Sequence, residues 1–234
     1  MSTPHHKKIF CALDTTDLLG ALDLGGLLKN SIGGLKVGLE FFSSHGPEGV
    51  RKVSECGLPV FLDLKLHDIP NTVAGAVRAL APLSPAMITI HTTGGAAMMT
   101  AAAEATGGYS EKPLLLGVTV MTSLGDEDLR VIGIASKTAD QVKRLAALAF
   151  KCGLGGVVCS PFEVASLRKE FGNDLTLVVP GIRPAGVDKG DQKRVMTPAQ
   201  AIAQGADYLV IGRAITGAED PVKAAADIAA SLSS

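Results

Sequence analysis

Short runs of β-branched and aliphatic residues alternate with longer segments rich in Ala and Leu along the whole chain. This alternation limits the fold strongly, because strands separated by helices form a parallel sheet that the helices cover. Eight runs are predicted as strands, at 9–13, 35–38, the start of 61–72, 86–91, 114–121, 156–159, 175–179 and 207–211. No Pro- or Ser-rich linker separates them, so we predict a single domain over residues 1–234, with 1–7 as a flexible tail.

Eight strand–helix units in 234 residues fit a compact (β/α)8 TIM barrel, whose functional groups lie at the C-terminal ends of the strands. The polar residues at or just after predicted strand ends are Asp14, Lys36, Asp63, Lys65, His91 and Thr122. A doubly wound open sheet is the alternative, and it normally carries a glycine-rich phosphate loop after its first strand. The segment 14–17, Asp-Thr-Thr-Asp, contains no glycine, and we therefore favour the barrel.

The composition argues against several classes of function. The formal net charge is −1, so the chain has no general attraction for nucleic acid or for an anionic membrane surface. No stretch approaches the roughly 20 apolar residues of a membrane span, and no apolar run near the start is long enough for a signal peptide. The four cysteines lack C-x-x-C spacing and are predicted to be reduced core residues. We therefore expect a soluble, cytoplasmic protein.

The stretch 61–72, Phe-Leu-Asp-Leu-Lys-Leu-His-Asp-Ile-Pro-Asn-Thr, is where we predict the chemistry. Side chains two apart on a strand point to one face, so Asp63 and Lys65 should project together. A core strand has no structural need for such charges, since a buried charge without a partner costs several kcal/mol. Asp68 follows at the strand end, and Pro70 suits the first turn of a helix. The D-x-K-x-x-D spacing therefore indicates an active site, with a structural ion pair as the alternative.

The loops after the seventh and eighth strands are predicted to bind a phosphate, as these loops do in many TIM barrels. Gly212 lets the backbone approach an anion and Arg213 supplies a fork of donors. Arg183 and Gln192 lie in the long loop after the seventh strand, which is rich in Gly, Pro and charge and suits a lid. The alternative is a solvated surface loop with ordinary surface arginines.

Together these segments resemble one family, the orotidine 5'-phosphate decarboxylases of the bacterial type. The matching stretches are 12–14, 35–38, 61–72, 118–123, 180–184, 190–192 and 211–213. They follow the family's order and cover nearly the whole chain. The segment D-x-K-x-H-D-I-P-N-T is highly specific, whereas the Gly-Arg pair at 212–213 alone would mean little.

The resemblance implies decarboxylation of orotidine 5'-phosphate to uridine 5'-phosphate and CO2, the last step of de novo UMP synthesis, with no metal and no organic cofactor. Lys36, Asp63, Lys65 and Asp68 would form a network of alternating charges, with Lys65 as the proton donor. The substrate-binding residues that it implies are Asp14, Lys36, Asp63, Thr72, Thr122, Arg183, Gln192, Gly212 and Arg213. In the family, Asp68 and Thr72 reach the neighbouring subunit's site, which implies a homodimer.

Two rival functions stay open. Metal-dependent sugar-phosphate decarboxylases or aldolases share the D-x-K-x-x-D strand, although the His-Asp-Ile-Pro-Asn-Thr continuation and Thr122 argue against them. A non-catalytic binder of nucleotide phosphates on the same barrel would bind its ligand without turnover. Of the two histidines near the predicted site, His67 is interpreted as structural, and His91 either lines the cavity or bonds locally.

Overall fold

Eight parallel strands close a barrel in chain order in the computed structural model, which describes residues 4–183 and 196–232. The strands are β1 Ile9–Leu13, β2 Gly34–Gly38, β3 Val60–Leu66, β4 Met87–His91, β5 Leu114–Val118, β6 Gly156–Val158, β7 Thr176–Val179 and β8 Tyr208–Ile211. Parallel pairing of β8 with β1, with Cys11 opposite Ile211, completes the closure. The predicted TIM barrel is confirmed, and the open doubly wound sheet is excluded because an open sheet would leave β1 and β8 unpaired with each other.

Helices cover the outside of the barrel and connect successive strands. They are α1 Leu18–Leu28, α2 Leu39–Ser54, α3 Pro70–Leu80, α4 Gly95–Ala105, α5 Asp126–Val131, α6 Thr138–Lys151, α7 Val164–Phe171, α8 Pro198–Ala203, α9 Arg213–Thr216 and α10 Pro221–Ser231. The side chains of Asp17 and Asp220 accept backbone N–H groups at the starts of α1 and α10. Proline begins α3, α8 and α10, where its missing N–H is no loss.

Two local features depart from regular or expected structure. Helix α2 begins at Leu39 and is broken at Gly46, where φ is 58°. Residues His5–Lys8 form a 3-10 turn ahead of β1, within the segment expected to be a flexible tail up to residue 7. Neither difference changes the order of the strands.

Two apolar layers hold the barrel together. Residues that face outward from the strands, such as Ile9, Cys11 and Leu62, pack against the helices. The barrel interior is filled by Phe10, Ala12, Phe61, Met87, Leu116, Val178 and Val210. Phe10 makes edge-on contacts with Phe61 and Tyr208, with ring centroids 6.1 and 5.6 Å apart. This filling makes the barrel a packed core rather than a pore, and functional groups are confined to the C-terminal strand ends.

The cysteines match the predicted reduced state, and two of the four lie in the core as predicted, while Cys56 and Cys152 are half-buried. All four are free thiols, and Cys11 and Cys159 are buried. Burial, together with the nearby Asp14 carboxylate, raises the pKa of the Cys11 thiol to about 12, so this side chain stays protonated at neutral pH. None of the helices in the described ranges is long and apolar enough to cross a membrane.

Candidate active site

The end of β3 departs from a regular strand at its charged residues. Its register against β4 shifts between Leu62 and Leu66, and Lys65 has a φ of 49°. A non-glycine residue in this left-handed region costs of order 1–3 kcal/mol, and such strain clusters at functional sites. Asp63 and Lys65 nevertheless line the same two cavities at the C-terminal face of the barrel. Regular strand alternation is therefore not what brings them together.

Two lysines converge on the carboxylate of Asp63. Lys65 Nζ donates to Asp63 Oδ2 at 2.8 Å, and Lys36 Nζ lies 3.6 Å from the same oxygen. Lys36 Nζ also donates to Asp14 Oδ1 at 2.9 Å. The Lys36 side chain is only 8% exposed, so these two carboxylates, rather than water, are the main partners of its ammonium group. Four of the predicted residues thus form a row of alternating charges, Asp14, Lys36, Asp63 and Lys65.

The surroundings of Asp63 favour its ionised form. Burial by itself raises the pKa of this carboxyl, but the Lys36 and Lys65 charges and hydrogen bonds from Lys65 and Thr89 outweigh it. The net result is a pKa below the ordinary aspartate value of 3.8. Asp63 therefore stays an anion that holds both ammonium groups in place.

Replacing Asp63 with asparagine should lower the free energy of unfolding at neutral pH by about 1–3 kcal/mol, because two ammonium groups lose their shared carboxylate. The folded-state pKa is depressed, so this stabilisation is present above 3.8 and is lost as the pH falls through the lower, folded-state value. Denaturant unfolding of both proteins over the acidic range measures the difference. A difference that does not shrink at acidic pH would contradict the assigned role of the charge.

A polar cavity of about 340 Å³ joins this charged row to the ends of β7 and β8. Arg183, Gly212 and Arg213 line its far side, as predicted for a phosphate site, and Pro180 and Gly181 form part of its wall. The backbone of Arg183 is held by a hydrogen bond from its N–H to Met196 O at 3.1 Å. The predicted partner Gln192 lies outside the described residues.

A second cavity, of about 260 Å³ and mostly apolar, adjoins the first. It is lined by Phe61, Val118, Val120, Met121, Thr122, Ser123, Val158 and Cys159, and it shares Asp63, Lys65, Pro180 and Val210 with the polar cavity. Thr122, predicted from its place after the fifth strand, offers this cavity a hydroxyl group. The two cavities meet at the Asp63–Lys65 pair, so one elongated ligand could occupy both with its middle beside Lys65.

Thr89 belongs to this site although the sequence analysis did not single it out. Its hydroxyl donates to Asp63 Oδ1 at 3.0 Å and accepts from the backbone N–H of Lys65 at 2.9 Å. The residue is fully buried in β4. The only signal in the sequence is a lone threonine in the apolar run 86–91, and threonine is common enough in strands to attract no notice.

His67 and His91 form a pair beside the charged row. Their rings lie 5.3 Å apart at an angle of 36°, and both line a third, largely apolar cavity next to Met121. Burial, the neighbouring His67 and the charge of Lys65 lower the pKa of His91, despite the opposing effect of Asp63. His91 is therefore neutral at neutral pH, and it lines this third cavity rather than the two cavities at Lys65.

Comparison with known proteins decides which family has this arrangement. The sequence matches the family described as Orotidine 5'-phosphate decarboxylase / HUMPS over residues 7–228. The orotidine 5'-phosphate decarboxylase of Rhodospirillum rubrum is 52% identical over 238 residues, covering 99% of this chain and 96% of that protein. This chain belongs to the orotidine 5'-phosphate decarboxylase / HUMPS family.

Other members of the orotidine 5'-phosphate decarboxylase / HUMPS family agree in sequence and in fold. The orotidine 5'-phosphate decarboxylase of Paramagnetospirillum magneticum is 50% identical over 231 residues, covering 97% of this chain and 98% of that protein. The crystal structure of orotidine 5'-phosphate decarboxylase from Lactobacillus acidophilus superposes with a TM-score of 0.84 at 36% identity. That match covers 97% of this chain and 99% of the other. The likeness therefore extends over the whole barrel.

Two residues that the family resemblance assigns to the site do not join it within this chain. Asp68 and Thr72 are exposed at the start of α3 and lie outside the linings of both cavities. Asp68 Oδ1 instead accepts the N–H of Ile69 at 2.6 Å. Ile69 is 66% exposed, which places an apolar side chain in water beside Asp68.

Among residues 4–183 and 196–232, no three His, Cys, Asp or Glu side chains are grouped so that they could hold a metal ion. Within the described ranges, the cations that face the cavities at Lys65 are the side chains of Lys36, Lys65, Arg183 and Arg213. These side chains are available to an anionic ligand there.

Proposed function

We propose that this chain is a carboxy-lyase that converts orotidine 5'-phosphate to uridine 5'-phosphate and CO2, the last step of de novo UMP synthesis. One observation carries the proposal. A polar cavity lined by arginines and an apolar cavity of comparable size meet at an ammonium group, Lys65, beside a carboxylate, Asp63. That shape fits a nucleotide whose phosphate and base lie in different cavities.

The chemistry of each cavity supports the proposed placement of the substrate. The phosphate lies against Arg183, Gly212 and Arg213, where a guanidinium group can bind two oxygens at once. The ribose hydroxyls face Asp14 and Lys36, which already share a hydrogen bond at the cavity wall. The pyrimidine enters the apolar cavity, where Thr122 offers a hydroxyl to its polar edge, and this puts carbon 6 near Lys65.

The reaction needs a cation and a proton at carbon 6. The bond between carbon 6 and the carboxylate breaks, CO2 leaves, and the electron pair stays on carbon 6 in the plane of the ring. The π system cannot delocalise that pair, so the Lys65 ammonium stabilises it and then transfers a proton to it. The resulting neutral amine takes a proton from solvent, and UMP leaves with a hydrogen where the carboxylate was.

The charge of Lys65 accounts for only part of the acceleration. Opposite charges about 4 Å apart interact by about 4 kcal/mol at an effective dielectric near 20. The hardest enzymatic reactions require more than ~20 kcal/mol. The remainder comes from binding the phosphate and ribose away from the reacting carbon, which orients the base and excludes water. Asp63, fixed as an anion, holds the Lys65 ammonium group by a 2.8 Å hydrogen bond and crowds the substrate carboxylate.

The assembled enzyme is proposed to be a homodimer in which Asp68 and Thr72 complete the neighbouring subunit's site. Their exposure at the start of α3 and the exposed Ile69 between them support this placement.

A cytoplasmic location is proposed as well, supported by four free cysteines, which suit a reducing compartment.

The test is the loss of orotidine 5'-phosphate absorbance on addition of the purified chain, with and without a chelator. Conversion to UMP that survives the chelator is expected. A strict requirement for a divalent metal would favour the metal-dependent sugar-phosphate decarboxylases or aldolases instead. Tight binding of UMP without turnover would favour a non-catalytic nucleotide binder.

Replacing Arg213 with alanine should lower kcat/KM for orotidine 5'-phosphate by ~10- to 100-fold, because a charge-assisted hydrogen bond to phosphate is lost. Turnover of orotidine, which lacks the phosphate, should not change. Arg51→Ala is the control, since Arg51 is an exposed surface residue that pairs with Glu48. Equal losses on both substrates would contradict the placement of the phosphate at Arg213.

A further inference from the structure

Thr89 is a polar side chain of β4 that reaches the charged row from within the core. It is fully buried, and its hydroxyl has two partners, the Asp63 carboxylate and the Lys65 backbone N–H. A hydroxyl group can accept one hydrogen bond while it donates another. A valine, which has nearly the same shape, can do neither.

Each of these bonds holds a group that the proposed chemistry uses. The bond from Lys65 N–H falls where the strand register shifts and φ is 49°, so it ties the strained backbone of Lys65 to the neighbouring strand. The bond to Asp63 Oδ1 occupies that oxygen and leaves Oδ2 for the ammonium groups of Lys65 and Lys36. The Thr89 hydroxyl therefore orients both the Asp63 carboxylate and the backbone that carries the Lys65 side chain.

We propose that Thr89 is a positioning residue for this reaction, which sets the orientation of Lys65 and Asp63 through the two hydrogen bonds of its hydroxyl. The expected kinetic effects rest on the proposed function, whereas the two hydrogen bonds of Thr89 do not depend on it. Thr89 lines neither cavity at Lys65, so it acts through these two residues rather than by contact with the substrate.

The charged and titratable groups around Asp63 come from four strands. Asp14 follows β1, Lys36 lies on β2, Lys65 shares β3, and His91 ends β4. Replacing Thr89 with valine removes none of these charges and takes away only the hydroxyl. Any change in the titration of Asp63 in that variant therefore reports the loss of the Thr89 bond.

The test compares Thr89→Val, Thr89→Ser and a matched control, Thr106→Val. Thr106 is also fully buried, and its hydroxyl donates to Ala103 O at the end of α4, outside the site.

Thr89→Val should lower kcat by ~10- to 100-fold with KM nearly unchanged, and should move the acidic limb of the pH profile to higher pH. Thr89→Ser should stay within about threefold of wild type, because it keeps both bonds. Thr106→Val should match wild type. If Thr89→Val does not fold, Thr89→Ala removes the same hydroxyl with less crowding.

A second readout does not depend on turnover. Carbon-13 NMR of aspartate-labelled protein gives the carboxyl titrations, and the resonance missing in Asp63→Asn identifies Asp63. Thr89→Val should raise the pKa of Asp63, because a bond that favours the anion is gone. An unchanged titration, or equal impairment of the serine and valine variants, would overturn the inference. A wild-type chain without decarboxylase activity would refute the proposed function instead, and the NMR result would still decide the role of Thr89.

Discussion

Replacement of Lys65 with alanine should lower the rate of decarboxylation by at least ~10⁵-fold. Loss of the ammonium charge removes about 4 kcal/mol of interaction with the carbanion, or roughly 10³-fold. Loss of a positioned proton donor removes a further factor of ~10² or more. The single-turnover rate with orotidine 5'-phosphate measures the combined effect.

Folding should survive this replacement. Alanine and lysine both carry a Cβ atom, so the backbone at a φ of 49° is strained to a similar degree in both proteins. Lys223→Ala is the matched control, because Lys223 is an exposed helix residue that pairs only at the surface with Asp227. Substantial turnover by a folded Lys65→Ala variant would refute the role of Lys65 as proton donor.

Mixing two inactive variants, Lys65→Ala and Asp68→Asn, should restore about one quarter of wild-type activity. In a symmetric dimer each site takes Lys65 from one subunit and Asp68 from the other, so a mixed dimer has one intact site of two. Random exchange makes about half of the dimers mixed. Asparagine keeps an oxygen to accept the N–H of Ile69, so the local fold is preserved.

The control mixture combines Lys65→Ala with Asp63→Asn. Lys65 Nζ and Asp63 Oδ2 lie 2.8 Å apart in one chain, so no mixed dimer of these variants has an intact site. The control should therefore stay inactive. Recovery in both mixtures would point to contaminating wild type, and no recovery in the first, with subunit exchange demonstrated, would contradict the shared site.

The barrel could be predicted because its pattern is repeated along the chain. Each strand is a short apolar run, and polar residues such as Asp14 and His91 stand where strands end. An acid and a base on a core strand are costly to bury, so their presence at 63 and 65 indicates a site from the sequence alone. The arginines at 183 and 213 followed from the known position of phosphate sites in barrels.

Other parts of the site could not be predicted, because they depend on contacts between distant segments. The hydrogen bonds of Thr89 join residues 24 and 26 positions apart, and nothing in the local sequence marks them. The unusual backbone of Lys65 coincides with the shift in pairing with β4, and the two-residue periodicity of a regular strand does not describe it. The place of Asp68 depends on a second subunit and stays a prediction.

The most direct measurement is turnover of orotidine 5'-phosphate by the wild-type chain in D2O, without added metal. We expect complete conversion to CO2 and UMP, with deuterium from the solvent at carbon 6 of the pyrimidine as seen by NMR. Recovery of unchanged orotidine 5'-phosphate from incubation with the folded protein would contradict it.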